Sequence, residues 1–396
     1  MPEPHLTKPP EKVDLTLGYL RLTDSAPLIM AKEMGFFEQF GLRVELVREI
    51  SWANTRDKLI AGVFDAVSML APLPLTTSLG LGGVRESLLT GLILSLNGNA
   101  ITLSSSIYMH LDISVDEPDP IKTAKALKAW VDDTGTKLTM GTVHTASCHT
   151  LHLRRWLELG GLAIDTDVQI VVLPPEQMAD NLANGMVDGF CVGSPWNVLS
   201  VQRGIGTVVA TGYEMWNNAP EKALVVTERW HEMNPMTHLR LRMALMACCE
   251  WLASSSNRTM SATVMARTEY LNLPQSTLLP ALTGDMVFSR GREPTSLPHF
   301  HIFHRYHAGF PWHSDALWML QNILRQSYPN DAIPALEQII QQVFRTDLYR
   351  QAAASLQWAS PSVDERPLAR HDAAWALEAG IELGADRIIG LHTNDA

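Results

Sequence analysis

Short apolar strands alternate with helices near the start of the chain, and this alternation restricts the fold more than any other feature of the sequence. Strands are predicted at residues 15–20, 44–47 and 64–69. One helix is predicted from Leu28 and a second from Ser51, a residue type that suits a helix N-cap. A β-α-β-α-β order requires right-handed crossovers, so these residues predict a mostly parallel sheet that is covered by helices.

A second series of the same kind follows in the middle of the chain. Strands are predicted at residues 138–141, 168–172 and 189–192, with helices at 149–159 and 178–184 between them. Glycines stand directly after both helices, where a left-handed residue commonly ends a helix. The sequence therefore predicts a second α/β unit built on the same plan as the first.

Two α/β units in one chain predict a molecule of two lobes. A length of 396 residues is also too great for one ordinary hydrophobic core. The predicted fold is an α/β, two-lobed, periplasmic-binding-protein-like fold of type II, with a ligand cleft between the lobes. In such sheets ligands bind outside the carboxyl ends of the strands.

The chain is expected to enter and leave the two lobes at definite points. Residues 13–110 are predicted as the first part of lobe 1, 111–215 as lobe 2, and 216–345 as a mainly helical return to lobe 1. Residues 346–396 are predicted as a C-terminal helical tail that contains an amphipathic helix over 366–383.

Charge and composition narrow the classes of function. The formal net charge of −11 argues against direct binding of nucleic acid, which requires a basic surface. No segment is apolar for long enough to span a bilayer, and the polar first residues have no signal-peptide core. The cysteine spacing fits neither a disulfide framework nor a zinc site, so we expect a reducing, cytoplasmic location. The four cysteines are Cys148, Cys191, Cys248 and Cys249.

Several short segments indicate a pocket for a small anion between the lobes. Residues 174–178 follow a predicted strand, residues 188–197 contain the strand predicted at 189–192 and a tight turn after it, and polar segments occur at 51–57 and 220–224. These segments resemble those of the nitrate- and bicarbonate-binding proteins of bacterial ABC importers. The resemblance covers roughly residues 13–341. It also includes residues 18–24, 26–29, 31–37 and 310–321.

The resemblance implies a set of ligand-binding residues. A tryptophan would donate its indole N–H, a histidine would contact the ligand, and a lysine would coordinate nitrate. Two residues would make backbone contacts, and an asparagine stands where nitrate binders usually carry glutamine. The tryptophan is Trp52, the histidine is His149 and the lysine is Lys222. The backbone contacts would come from Pro175 and Val192, and the asparagine is Asn99.

Lys222 is the residue from which we predict which anion is bound. Nitrate has three acceptor oxygens and nothing to donate, so its pocket needs donors and at least one positive charge. The bicarbonate binders of the family carry a carboxylate at the position of Lys222, and that group would accept the bicarbonate O–H. A lysine at this position therefore favours nitrate or nitrite over bicarbonate.

Within the family, this sequence is most similar to a cytoplasmic nitrate/nitrite sensor. The resemblance implies that such a sensor holds an RNA-binding antiterminator protein inactive until the anion releases it. The alternative is the solute-binding component of a nitrate ABC importer. A third possibility is an enzyme on the same fold, as in the pyrimidine-precursor synthases of the thiamine pathway, but the cysteine-rich iron motif of those enzymes is missing. We therefore expect no catalysis, no cofactor and no metal.

Each candidate residue also has a structural interpretation without a ligand. Trp52 follows a helix cap and could pack as a hydrophobic staple. His149 at a helix start could hydrogen-bond the backbone, and an isolated lysine such as Lys222 is usually solvated. The histidines of residues 299–313 have a spacing that resembles a metal site, but no carboxylate or cysteine partners accompany them.

Overall fold

The computed structural model describes residues 8–111, 113, 119–327 and 336–391. Fifteen strands lie in this part of the chain. They are β1 (Asp14–Leu20), β2 (Arg43–Glu49), β3 (Ala66–Leu70), β4 (Leu88–Asn97), β5 (Asn99–Ser104), β6 (Leu138–Thr142), β7 (Val168–Val172), β8 (Gly189–Gly193), β9 (Gly206–Thr211), β10 (Pro220–Thr227), β11 (Asp285–Met286), β12 (Thr295–Ser296), β13 (His301–Ile302), β14 (Trp375–Glu378) and β15 (Ile381–Leu383).

Seventeen α-helices accompany these strands in the described residues. They are α1 (Ala26–Glu33), α2 (Phe36–Gln39), α3 (Trp52–Ile60), α4 (Leu73–Ser78), α5 (Ser105–Tyr108), α6 (Pro120–Thr134), α7 (Cys148–Gly160), α8 (Met178–Ala183), α9 (Trp196–Gln202), α10 (Gly212–Met215), α11 (Glu228–Met233), α12 (Pro235–Trp251), α13 (Ser255–Met265), α14 (Gln275–Thr283), α15 (His313–Ser327), α16 (Leu336–Val343) and α17 (Thr346–Ser355).

Two sheets organise the molecule into two lobes. The first sheet has the strand order β13-β4-β10-β3-β1-β2 and the second has the order β7-β6-β8-β5-β9. In the first sheet β1 is parallel to β2 and β3, while β10 is antiparallel to β3 and β4. In the second, β6 is parallel to β7 and β8, while β5 is antiparallel to β8 and β9. The two predicted series therefore form the parallel half of each sheet.

The antiparallel half of each sheet is absent from the sequence prediction. Strands β4, β5, β9 and β10 are buried at nearly every position. A strand that is buried on both faces shows no alternation of apolar and polar residues, so its period is not visible in the sequence. The expectation of mostly parallel sheets was wrong for this reason.

The chain passes from the first sheet to the second at Gly98, between β4 and β5. Gly98 has a φ of +86°, and a Cβ atom there would lie 1.9 Å from the His301 imidazole. Only glycine fits this backbone and this contact. The chain changes sheet here, earlier than the predicted lobe boundary at residue 110, and it returns between β9 and β10.

The two sheets present corresponding edges to each other. Strands β1 and β3 end at Leu20 and Leu70, and the antiparallel pairing of Lys222 with Leu70 brings the start of β10 to the same edge. In the second sheet Asn99 pairs with Gly193, so β5 begins where β8 ends. The carboxyl ends of the parallel strands thus lie beside the starts of β10 and β5.

The C-terminal region differs from its prediction. The amphipathic helix expected over residues 366–383 is not formed, because β14 and β15 pair there as an antiparallel hairpin. Gly380, between the two strands, has a φ of +80°, which suits a tight turn and not a helix. Helix α17 is the helical part of this tail. Within the described residues no helix has the length and apolar character needed to cross a membrane.

Candidate functional site

A buried cluster of four ionisable side chains joins the two lobes. Lys222 Nζ lies 2.7 Å from Glu221 Oε1 and 2.8 Å from Asp24 Oδ2. His149 Nε2 lies 2.8 Å from the same Glu221 oxygen. Asp24, Glu221 and Lys222 belong to the first lobe and His149 to the second. The exposed fraction of each residue is at most 1%. This arrangement, which we call the interlobe cluster, lies at the facing strand edges.

A β-bulge explains how two consecutive residues reach one site. Side chains of a regular strand point alternately to opposite faces, so Glu221 and Lys222 would normally diverge. The register between β10 and β4 shifts on both sides of Lys222. Such irregularities redirect side chains and are frequent beside functional sites. Here the shift accompanies a direct contact between the Lys222 ammonium and the Glu221 carboxylate.

The cap of helix α7 places His149 at the cluster. Ser147 is the N-cap, and its hydroxyl accepts a hydrogen bond from the Thr150 amide. His149 is therefore in the first turn, facing the first lobe. Neither of its ring nitrogens has a well-aligned hydrogen bond among the described residues, although the ring is fully buried. Buried imidazole nitrogens without aligned partners are uncommon, so this ring is a candidate contact for a ligand.

Asn99 enters the cluster from the start of β5. Its Nδ2 donates to Glu221 Oε2 over 2.8 Å, and its Oδ1 lies 3.1 Å from His152 Nδ1. Burial lowers the pKa of His152 to about 4, so this ring is neutral at physiological pH. The pair of contacts fixes the orientation of the amide with the nitrogen toward the carboxylate. Gly212 packs so closely that a Cβ atom there would lie 2.6 Å from Asn99 Oδ1.

Trp52 closes the cluster from the first lobe. It is the first residue of α3, whose N-cap Ser51 accepts a hydrogen bond from the Asn54 amide, as predicted. Lys222 Nζ lies 5.1 Å from the centre of the indole ring, which is a cation–π distance. The indole Nε1 is buried and has no hydrogen-bond partner within the residues that the structure describes. An indole N–H normally finds an acceptor when it is buried.

The charges of the cluster are set by burial and by mutual contacts. Burial acts to raise the pKa of Glu221, but His149 and Lys222 outweigh it and hold that pKa far below the usual range. Burial also opposes the charge of Lys222, yet Asp24 and Glu221 raise its pKa. For Asp24 burial prevails over Lys222, so its pKa is raised. With both carboxylates ionised the four groups sum to zero or −1, depending on the His149 proton.

The structure brings four of the six predicted site residues together. Trp52, Asn99, His149 and Lys222 all contact the interlobe cluster or belong to it. None of the three structural interpretations without a ligand fully describes them, since Lys222 is buried and the Trp52 and His149 nitrogens lack aligned partners within the described part of the chain.

The other two predicted residues occupy backbone positions nearby. Val192 lies in β8, next to Gly193, and Pro175 begins a 3₁₀ turn, Pro175–Gln177. Among the described residues no hydrogen bond joins Pro175 or Val192 to the cluster, so their backbone contacts with a ligand stay predictions.

Sequence reasoning missed the two carboxylates and a glycine. Asp24 follows β1, and Glu221 directly precedes the lysine. A Cβ atom on Gly193 would lie 3.5 Å from Asp24 Oδ2 and 3.7 Å from His149 Nε2, so its bare backbone borders the cluster. One signal for the carboxylates was available. A lysine at the edge of two lobes must be paired if it is buried, and acidic residues at neighbouring strand ends are the available partners.

The histidines of residues 299–313 serve separate roles. His301 Nε2 lies 2.8 Å from Thr23 Oγ1, His299 stacks on Tyr213, and His304 packs against Trp358. In the described part of the chain no group of three or more His, Cys, Asp or Glu side chains is arranged to hold a metal ion.

An open cavity lies away from the cluster. It has a volume of about 450 Å³ and is bounded by α7, α15 and the C-terminal tail, with Arg155, Trp318 and Arg370 among its lining residues. None of the cluster residues lines it. The cluster itself is closed, so the chemistry of its side chains and not the size of a cavity identifies it as the candidate site.

Comparison with known proteins agrees with this architecture. Residues 8–266 match the NMT1-like family. The chain is 35% identical over 365 residues to the nitrate import ATP-binding protein NrtC of Synechocystis sp. (strain ATCC 27184 / PCC 6803 / Kazusa), covering 91% of this chain and 53% of NrtC. It spans about half the length of the curated relatives that it matches first, which are named as nitrate import or bicarbonate transport ATP-binding proteins.

Two nitrate-binding proteins match over most of their own length. The nitrate/nitrite binding protein NrtA of Nostoc sp. (strain PCC 7120 / SAG 25.82 / UTEX 2576) is 32% identical over 354 residues, covering 87% of this chain and 78% of NrtA. The crystal structure of the periplasmic nitrate-binding protein NrtA from Synechocystis PCC 6803 superimposes with a TM-score of 0.83 at 27% identity, covering 95% and 97% of the two chains. The chain therefore belongs to the NMT1-like family and, within it, to the solute-binding proteins that include NrtA.

Proposed function

We propose that this protein binds a small planar oxyanion of the nitrate and nitrite class at the interlobe cluster, as a solute-binding component of an ABC importer. The observation that carries the proposal is the set of buried donors around Lys222. The Trp52 indole N–H has no acceptor and the His149 ring nitrogens have no aligned partner among the described residues. An anion that accepts from these groups restores the hydrogen bonds that burial otherwise removes.

The relatives support this choice of ligand and role. NrtA proteins carry nitrate and nitrite binding in their names, and this chain covers most of their length. In the proposed function the protein binds its ligand and catalyses no reaction. The thiol beside His149 does not favour a nucleophile, because burial raises the pKa of Cys148 far above its usual value. Its Sγ also donates to the Pro220 carbonyl over 3.1 Å.

Bicarbonate is a second candidate, and one observation favours it. The selectivity argument from sequence considered Lys222 alone, whereas Asp24 and Glu221 both lie against its ammonium. Beyond the ion pair, the Asp24 oxygens have no hydrogen-bond partner in the part of the chain that the structure describes. An O–H such as that of bicarbonate would find an acceptor there, so the lysine alone does not exclude this anion.

The sensor role predicted from the sequence remains a prediction. In that role the protein, like the sensor NasS, holds a NasT-like RNA-binding antiterminator inactive in the cytoplasm and releases it when the anion binds. The relatives reported above are named for import or binding, and this favours the importer component. Recovery of the native protein from the periplasmic fraction of its source cells would contradict the sensor role, whereas its recovery in a complex with an RNA-binding antiterminator that nitrate dissociates would contradict the importer role.

Isothermal calorimetry tests the ligand. The purified protein is titrated at constant ionic strength with nitrate, nitrite, bicarbonate and chloride, the last as a monoanion that is not planar. We expect saturable heat with nitrate or nitrite and none with chloride. Binding of bicarbonate alone would replace the first ligand with the second, and absence of heat with all three oxyanions would overturn the proposal.

A further inference from the structure

Two of the donors predicted for the anion, those of Asn99 and Lys222, are already engaged by a side chain of the protein, and a third, His149, lies close to it. Asn99 Nδ2 donates to Glu221 Oε2 over 2.8 Å, and Lys222 Nζ donates to Oε1 over 2.7 Å. His149 Nε2 lies 2.8 Å from Oε1 as well. Thus three of the four clustered ligand-binding candidates converge on the two oxygens of one carboxylate.

A carboxylate resembles the proposed ligands in the features that these donors recognise. Like nitrate, nitrite and bicarbonate, it is planar and anionic, and it presents two acceptor oxygens on one central atom. A donor hydrogen that is bonded to Glu221 is not free to bond an incoming anion. The contacts between the cluster and Glu221 therefore reproduce part of the contacts that an oxyanion would make.

The same contacts hold the two lobes together. Glu221 belongs to β10 of the first sheet, whereas Asn99 and His149 belong to β5 and α7 of the second lobe. A second interlobe ion pair, Arg21 with Glu176 at 2.9 Å, is partly exposed and therefore weaker. The buried carboxylate is therefore the stronger link across the cleft.

We propose that Glu221 is an internal competitor that occupies the anion's donors and holds the lobes closed until an anion displaces it. This inference rests on the proposed function and assigns a role to a residue adjacent to the lysine. An added anion must bind the donors more favourably than Glu221 does. The apparent affinity for the anion is therefore lower than it would be if the donors were free. Glu221 then sets the concentration range in which the protein responds to its ligand.

Two substitutions separate competition from simple charge repulsion. Glu221→Gln removes the charge and keeps the size of the side chain. Glu221→Asp keeps the charge but shortens the side chain, so the carboxylate cannot span to Asn99 and His149 together. Competition predicts that both variants bind nitrate more tightly. Charge repulsion alone predicts tighter binding for Glu221→Gln and an unchanged affinity for Glu221→Asp.

Asp65→Asn is the matched control. Asp65 is a buried carboxylate of the same sheet, at the start of β3 and so at the strand edge opposite the cluster. It accepts hydrogen bonds from Trp230 Nε1 and the Thr16 amide. The control removes one buried negative charge without touching the cluster, and we expect its nitrate affinity to equal that of the wild type.

Calorimetry with nitrate, nitrite and bicarbonate is combined with small-angle X-ray scattering of each protein with and without nitrate. Circular dichroism melting first confirms that every variant is folded. We expect the dissociation constant to fall at least tenfold in both Glu221 variants. We also expect their radius of gyration to be larger than that of the wild type without anion and to decrease when nitrate is added.

The outcomes distinguish this inference from the proposed function. If the wild type binds an oxyanion and the Glu221→Asp affinity is unchanged or weaker, the competitor role is overturned and the binding function stands. If the wild type shows no heat but both variants bind, Glu221 blocks the donors permanently, and both the proposed function and the competitor role, which requires displacement by an anion, are overturned. If neither the wild type nor the variants bind any of the three oxyanions, both claims fail.

Discussion

Two buried ionic groups in this molecule differ in how completely their polar atoms are satisfied. Arg366, in the C-terminal tail, pairs with Asp315 of α15 through two hydrogen bonds of 3.0 and 2.9 Å, one to each carboxylate oxygen. Its Nη2 also donates to the Asn218 carbonyl over 3.2 Å. The interlobe cluster, in contrast, leaves both oxygens of Asp24 and both ring nitrogens of His149 without an aligned hydrogen bond among the described residues.

This difference separates a structural ion pair from the candidate ligand site. A buried pair whose hydrogen bonds are made within the protein needs nothing further, and its role is to attach the C-terminal tail to α15. Buried polar atoms without partners are costly, so they persist where a ligand completes them or where function requires them. Both groups are buried, so burial does not distinguish the structural pair from the candidate site. The two differ in how many of their buried polar atoms have hydrogen-bond partners.

The largest expected effect is the loss of stability when the buried ion pair between Arg366 and Asp315 is broken. Arg366→Leu leaves the Asp315 carboxylate buried without its partner, which should lower the free energy of unfolding by about 3–5 kcal/mol. The nitrate affinity of the folded variant should not change. Urea denaturation and nitrate calorimetry measure the two quantities.

The double variant Arg366→Leu/Asp315→Leu serves as the control, because it removes both charges and should recover most of the stability. A nitrate dissociation constant that changes more than a few-fold in folded Arg366→Leu would mean that the tail takes part in the site, and the comparison would fail.

The next largest effect is the loss of nitrate affinity when Lys222 loses its positive charge. Lys222→Met keeps a long apolar side chain and removes the positive charge, so nitrate affinity should fall at least about 100-fold, equivalent to about 2.8 kcal/mol. Calorimetry on the folded variant checks this. Lys222→Glu is less informative, because it would place three carboxylates in one buried cluster. Nitrate affinity equal to that of the wild type in Lys222→Met would remove the central residue from the proposal.

Acid should lower the stability of the protein through His301, a buried histidine near the cluster. Burial, together with Arg258 and Lys222, lowers the pKa of His301 to about 3. The unfolded chain, with a histidine pKa of about 6.5, then binds a proton that the folded protein does not. The free energy of unfolding therefore falls as pH decreases below about 6.5, by up to about 1.4 kcal/mol per pH unit from this residue.

The variant His301→Gln removes this contribution. Denaturation curves at several pH values between 7.5 and 4.5 should show a shallower loss of stability in the variant than in the wild type, by about one proton. Parallel curves for the two proteins would show that His301 is already protonated in the folded state, contrary to its buried contact with Thr23.

The smallest expected effect concerns the indole N–H. Trp52→Phe keeps an aromatic ring against Lys222 and removes one donor, so nitrate affinity should fall by about 1–2 kcal/mol, roughly tenfold. Stability should change little, because the indole nitrogen has no protein partner to lose among the described residues. Trp216→Phe is a matched control, since its buried Nε1 also has no hydrogen-bond partner among the residues that the structure describes, and the residue lies outside the cluster. Equal losses of affinity in both variants would assign the effect to packing.

Local patterns predicted much of the fold. The strands and helices of both α/β series lie within about two residues of their predicted positions, and the caps at Ser51 and Gly161 agree with the structure. These features depend on residues near one another in the chain, such as a serine before a helix or a glycine after it. The predicted C-terminal helix failed because an alternating pattern around Gly380 was interpreted with a helical period.

The sequence by itself determined the two-lobed α/β plan and the residue types of an anion site, because periodicity, caps and motif order are local properties. Only the tertiary structure decided that Asp24 and Glu221 join Lys222, because their encounter depends on a register shift in β10 and on the meeting of two sheets. It also decided that Glu221 reaches Asn99 and His149 across the cleft. Contacts between residues this far apart in the chain have no local pattern from which they can be predicted.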